Sequence, residues 1–173
     1  GSHWPRHPEI EITLIRSRSG LRVVGAKSSL IPTSESLVIL GRGLPHYWKF
    51  KDTSSGICVQ FNDLRLLRLL AEQPRIEVRG FINRASFGLE FGGKVRGDAV
   101  ELMQELSAVS KGRSRLENFG LFLQLIGQLS NTDPNSARQI SSIRFDGAFN
   151  EDNYCEMQKA VDWIMSNYQS EIR

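Results

Sequence analysis

From Glu9 to Leu14 the chain alternates without a break, with Ile10, Ile12 and Leu14 in one phase and Glu9, Glu11 and Thr13 in the other. Period two is the side-chain repeat of a β-strand buried on one face, and a helix cannot present it. Further extended runs follow at Leu21 to Val24, Leu37 to Leu40, Tyr47 to Lys51 and Ile57 to Phe61. Turn chemistry divides them: Ser17-Arg18-Ser19-Gly20, Pro32-Thr33-Ser34-Glu35-Ser36 and Gly41 to Pro45. Many short strands between turns predict a sandwich or barrel for the front of the chain, with the first two strands joined as a hairpin.

After Asn62, a good N-cap, the period changes. Leu64, Leu67 and Leu70 form a helical stripe, and a second helix after Pro74 has Ile76, Phe81, Ile82 and Ala85 as its apolar face. Gly88 to Gly93 reads as a short strand ending in a glycine turn. Asp98 with Glu101 is a capping arrangement, followed by Ala99, Leu102, Met103, Leu106 and Val109 at helical spacing until Gly112. Ser114 with Glu117 repeats the device before Leu116, Phe119, Phe122, Leu123, Ile126 and Leu129. With Leu121 and Leu125 added, that helix is apolar most of the way round, more than one contact face requires. It is either a dimer face or a central core helix packed by the barrel and by helix 98–111. Asn131 to Ser136 is loop-like, and beyond Asn150 the spacing of Tyr154, Met157, Val161, Ile164, Met165 and Tyr168 predicts a last helix. It runs out at Arg173 with no stop signal, as an engineered boundary would.

With 173 residues, 40% of them hydrophobic, the chain is long enough to bury a real core. It has no stretch of membrane-spanning length and no secretion signal, and Cys58 and Cys155 lack metal-ligand spacing, so a reducing cytoplasm is expected. Gly1 and Ser2, with His3, read as a cleavage scar. Net charge is only +3, from 22 basic against 19 acidic residues. Arg65, Arg68, Arg75, Arg79 and Arg84 are loosely spread, and Arg96, Lys111, Arg113 and Arg115 flank a helix. Such charges read as a solvated face rather than a DNA-binding one.

Four segments in order carry a family resemblance. They are His7-Pro8-Glu9-Ile10-Glu11; Leu37-Val38-Ile39-Leu40-Gly41 leading into Leu44-Pro45-His46-Tyr47-Trp48; Val59-Gln60-Phe61; and Arg84-Ala85-Ser86-Phe87-Gly88-Leu89-Glu90-Phe91. Together they resemble the N-terminal effector domain of AraC-type bacterial transcription regulators. The stretch from Asn153 through Met157, Val161, Trp163, Ile164, Tyr168 and Ile172 resembles the opening helix of the family's DNA-binding half. The resemblance implies a mainly β fold with α, a cupin-like (double-stranded β-helix) barrel followed by a helical C-terminal subdomain. It divides the chain into a scar at 1–3, an effector-binding barrel with inserted helices at 4–97, a helical dimerisation region at 98–131, a linker at 132–150, and the first helix of a truncated DNA-binding domain at 151–173.

The implied function is a cytoplasmic ligand-sensing and dimerisation domain, binding a small polar effector, with sugars as the suggested class. The parent protein would bind promoter DNA through a missing helix-turn-helix half. Candidate effector-binding residues are His7, Glu9, Glu11, His46, Trp48 and Gln60, and the candidate dimer interface is Leu116, Phe119, Phe122, Leu123 and Ile126. By pattern alone the polar phase of the first strand faces solvent or a pocket; the resemblance favours the pocket, since His7 shares that phase. Arg22, between Leu21 and Val23, allows either face. The alternative is a metal-dependent cupin enzyme, whose metal is generally held by a His-x-His pair, a nearby Glu and a later His. His7, Glu11 and His46 stand at plausible places, but Pro5 lies two residues before His7, and Glu35-Ser36 replaces the usual Gly-Asp. One histidine short, the set is read as having no metal, no cofactor and no catalytic role.

Overall fold

The structure, a computed structural model, describes residues 7–31, 34–71, 78–108, 112–133 and 136–144. Along the chain run β1 (Ile10–Arg16), β2 (Gly20–Val24), β3 (Lys27–Ile31), β4 (Glu35–Leu40), β5 (His46–Phe50), β6 (Ser55–Phe61), α1 (Asp63–Leu70), α2 (Arg79–Ala85), β7 (Leu89–Phe91), α3 (Gly93–Ser107), α4 (Arg115–Ser130) and β8 (Ala137–Gln139). The strands form a five-stranded sheet, ordered β6-β1-β4-β7-β8, and a three-stranded sheet, ordered β3-β2-β5. Every pairing is antiparallel.

The alternation in β1 decides how the layers stack. Its apolar phase is extended sideways by register: Ile12 lies opposite Ile39 and Val59, and Leu14 opposite Leu37 and Ile57. That face packs, with Leu89 and Phe91, against Leu66 of α1, Phe81 and Ala85 of α2, Ala99 and Met103 of α3, and Leu125, Ile126 and Leu129 of α4. The polar phase faces the smaller sheet, where Val24 and Trp48 pack with Val38 and Leu40, and Arg22 reaches Ser36 and Glu90. The result is a helical layer, a large sheet and a small sheet. The helices share one core with the large sheet instead of forming a subdomain of their own, because that sheet's outer face is apolar and must be covered.

The expected hairpin between β1 and β2 does not form. Both edges of β1 are taken by β4 and β6, and Ser17 to Ser19 carries the chain across to the other sheet. The tight hairpin is β2–β3, with Val24 opposite Lys27 and Gly25 at φ 59° in the two-residue turn. β3 escapes the sequence pattern because Lys27, Ser28 and Leu30 all face solvent. Among the described residues no strand pairing joins the two sheets, so the barrel is not closed. β5 and β6, consecutive in the chain, lie in different sheets and leave a gap between them.

The helix signals are mostly met. Asn62 Oδ1 accepts from the Arg65 N–H at 3.0 Å, although the buried leucine of α1 is Leu66 and Leu64 is exposed. Ser114 and Glu117 make the full reciprocal cap at the start of α4. α3 starts at Gly93, ahead of the expected Asp98, whose carboxylate instead holds Lys94 and Gln128. Part of the expected linker, 132–150, belongs to the sheet: β8 pairs with β7, and Ile140 is buried beside Val24 and Leu44. Ile76, Val109 and the expected final helix at 151–173 lie outside the described residues. Where β4 ends, the Gly41 N–H donates to the Ala85 carbonyl at 2.8 Å, and a Cβ at Gly41 would come within 2.7 Å of Ser86 backbone atoms. Only glycine permits that approach, which fixes the loop leading to His46.

Candidate functional site

The residues between the sheets form a polar cluster at one end and an open cleft beside it. His7, just before β1, is tied to the β4–β5 loop by the Gly43 N–H, which donates to the His7 carbonyl at 2.9 Å. Its Nδ1 donates to the Glu9 carbonyl at 3.1 Å, which turns Nε2 inward to 3.1 Å from Glu11 Oε2. His46, the first residue of β5, donates from Nδ1 to the Leu44 carbonyl at 2.9 Å, and its Nε2 lies 3.8 Å from the same oxygen. The two rings meet edge to face, 5.1 Å between centroids. Gln60 of β6, opposite Glu11 in register, donates to Oε2 at 2.9 Å, and the Thr13 hydroxyl donates to Oε1.

These contacts decide the charges. Burial alone would raise the Glu11 pKa, but hydrogen bonds from His7, Thr13 and Gln60 and the proximity of His46 outweigh it and hold the carboxyl at about 2. The bond to Glu11 raises His7 above its ordinary value against the opposing effect of burial. Burial lowers His46, outweighing the Leu44 carbonyl and Glu11. The end of the gap is therefore an anchored carboxylate between two imidazoles of different basicity.

The cleft has a volume of about 260 Å³ and opens on the unpaired side between β5 and β6. Its walls include Ile15, Trp48, Phe50, Gly56, Ile57 and Cys58, and Thr13 joins it to the polar cluster. Across the sandwich, Arg22 is fully buried and grips Glu90 in two parallel bonds of 2.8 and 2.7 Å, and it also donates to Ser29 at 2.9 Å and Ser36 at 3.2 Å. Arg138 of β8 reaches the same carboxylate.

Of the residues expected from sequence, His7, Glu11, His46 and Gln60 converge, and Trp48 lines the cleft. Glu9 is set apart: its carboxylate lies 3.6 Å from His7 Nδ1, whereas Glu11 meets the ring at Nε2. The open question about the polar phase is decided, since Glu11 and Thr13 are buried between the sheets. Thr13 and Phe50 were missed, although each was legible: Thr13 shares the phase of Glu11, and Phe50 shares that of His46 and Trp48. Glu90 was signalled only by its place between two apolar residues in β7.

On α4, Ile126 is buried in the chain's own core, and Phe122 and Leu123 pack against that core; Phe122 meets Phe61 edge to face at 5.2 Å. Leu116 and Phe119 remain 78% and 39% exposed. Compared with known proteins, the chain matches no family model and no curated sequence. Among the described residues no helix is long and apolar enough to cross a membrane.

Proposed function

We propose that this chain is the effector-binding and dimerising half of an AraC-type transcription regulator, a cupin-like domain that takes a small polar molecule and acts in the cytoplasm. The observation that supports the reading is the gap between β5 and β6: about 260 Å³ with aromatic walls at Trp48 and Phe50 and, as polar lining, Ser54, Ser55 and Thr13, whose hydroxyl is bonded to the buried Glu11 behind it. Apolar walls with a few fixed polar groups are the usual make-up of a small-molecule site, and the volume lies just below the usual range, which suits a small ligand. Sugars, with hydroxyls for the polar lining and C–H faces for the aromatic rings, are the first class to try.

Binding rather than catalysis fits the state of the carboxylate. A general base works best with a pKa near the operating pH, whereas Glu11 is held at about 2 by donors on both oxygens. An effector wedged between the sheets would favour one sheet separation over another. That differential affinity is what a regulator must pass to its DNA-binding half, which on this reading contacts promoter DNA through residues beyond those described.

A thermal-shift screen of sugars, sugar acids and small organic acids tests the reading. One class is expected to stabilise the chain by about 2.7 kcal/mol at a hundred times its Kd. Trp48→Ala is expected to remove that shift while unfolding remains cooperative; silence across the whole screen sinks the proposal. Dimerisation is assigned to the exposed start of α4, around Leu116 and Phe119. Sedimentation at tens of micromolar should give twice the 19.5 kDa chain mass, and Leu116→Asp should return the monomer. A monomeric parent chain would remove dimerisation from the proposal.

A further inference from the structure

We propose that His7, Glu11 and His46 form a binding site for one divalent first-row transition metal ion. One ligand atom from each of the three residues lies within 4.8 Å of the other two. A metal with bonds of about 2.1 Å at tetrahedral or octahedral angles needs neighbouring donors about 3.0–3.4 Å apart. Glu11 Oε2 stands 3.1 Å from His7 Nε2 and 3.8 Å from His46 Nε2, so small rotations of the side chains complete the geometry.

The outer nitrogens carry the argument further. A metal-bound imidazole generally donates its second N–H to a backbone carbonyl or carboxylate, which fixes the ring. Both rings here do so, His7 to the Glu9 carbonyl and His46 to the Leu44 carbonyl, and both turn Nε2 towards the same carboxylate oxygen. His46 Nε2 lies 3.8 Å from Glu11 Oε2, beyond hydrogen-bond range but close enough for one ion to bridge the two atoms. A cation placed between that nitrogen and the carboxylate oxygen bonds to both. Gln60 and Thr13 hold the carboxylate in orientation from its other sides.

Two imidazoles and one carboxylate suit zinc, iron(II), manganese(II) or cobalt(II), and leave at least one position for water or a ligand oxygen. The expectation of no metal rested on a missing histidine at Pro5. Three convergent donors make that histidine unnecessary. This site does not depend on the sensing role, and its test involves no effector.

The full chain, stripped with a chelator, is titrated with Zn²⁺ and Mn²⁺ by calorimetry and with Co²⁺ by visible absorption. The expected result is one ion per chain, a rise in melting temperature, and Co²⁺ bands of nitrogen and oxygen ligation. His7→Gln and His46→Gln should each weaken binding by about 100-fold or more. His7 sits at the edge of the fold, so its variant keeps the test valid should the His46 variant fail to fold. Glu9→Gln should stay within a few-fold of the parent. His3 can itself bind ions, so His3→Ala is made in parallel and should bind as the parent does. Loss of binding in His3→Ala, binding unchanged in both His7→Gln and His46→Gln, or no ion bound at 100 µM overturns the proposal.

Discussion

Replacing Arg22 with Met should lower the free energy of unfolding by about 3–5 kcal/mol, the usual cost of removing one partner from a buried ion pair. Arg22 has no exposed surface, and its guanidinium is the polar link between the small sheet and Glu90 of the large one. Without it, the Glu90 carboxylate keeps only Ser36 and the exposed Arg138, while Ser29 loses its partner. Lys in place of Arg22 should recover little, because a single ammonium cannot match the two parallel bonds or reach both serines. The double variant Arg22→Met, Glu90→Met should lose well less than the sum of the two single losses, since it leaves no unpaired buried charge, Arg138 being solvated. Urea titrations check this through the midpoint at constant slope. A loss under about 1 kcal/mol for Arg22→Met would mean that apolar contacts alone hold the sheets together.

Acid should strip a comparable amount from the same network. Burial by itself would raise the Glu90 pKa, but hydrogen bonds from Arg22 and Arg138, the Arg22 charge and Ser36 lower it from 4.5 to about 2. A carboxylate depressed in the folded state contributes stability that is fully present above its unfolded pKa and is lost as pH falls through the folded value. The window therefore runs from about pH 4.5 down to 2. Glu90 is only 12% exposed, and its shift corresponds to a loss on the order of 3 kcal/mol. Glu11 is depressed into the same range and adds to the fall. Glu90→Gln should be less stable than the parent at neutral pH, yet the two should converge as pH approaches 2. Urea midpoints across a pH series, measured with chelator present, make the comparison; parallel curves for parent and variant would refute it.

How much of this was legible in the sequence depended on whether a signal was local. β1, β4 and α4 carry dense patterns, and the Ser114–Glu117 cap was readable from spacing alone. β3 was not, because a strand at the edge of the small sheet needs no apolar phase, and Ser28 and Leu30 simply face water. The false hairpin has a different cause. Turn residues at Ser17 to Gly20 show that the chain bends, but partner choice depends on which strands extend the apolar phase of β1, and those are 20 or more residues away. At the site, resemblance and phase brought His7, Glu11, His46 and Gln60 forward. The Arg22–Glu90 pair was hidden, since each residue alone is compatible with a solvated face and only the stacking of the two sheets brings them together. Counting histidines along the chain could not show how the cluster converges, because convergence is set by rings turned on their backbone anchors.

Residues 136–141 make the sandwich wall a load path. Chain beyond Ser141 pulls first on three strand residues of β8, on Ile140 wedged beside Val24 and Leu44, and on Arg138. Arg138 rests on the Glu90 carboxylate, which Arg22 grips from the opposite side. Traction at that end of the fold therefore reaches the small sheet, and with it the strand that bears His46 and Trp48, by two contacts outside the helices: Ile140 against Val24, and the Glu90 carboxylate that Arg138 and Arg22 share.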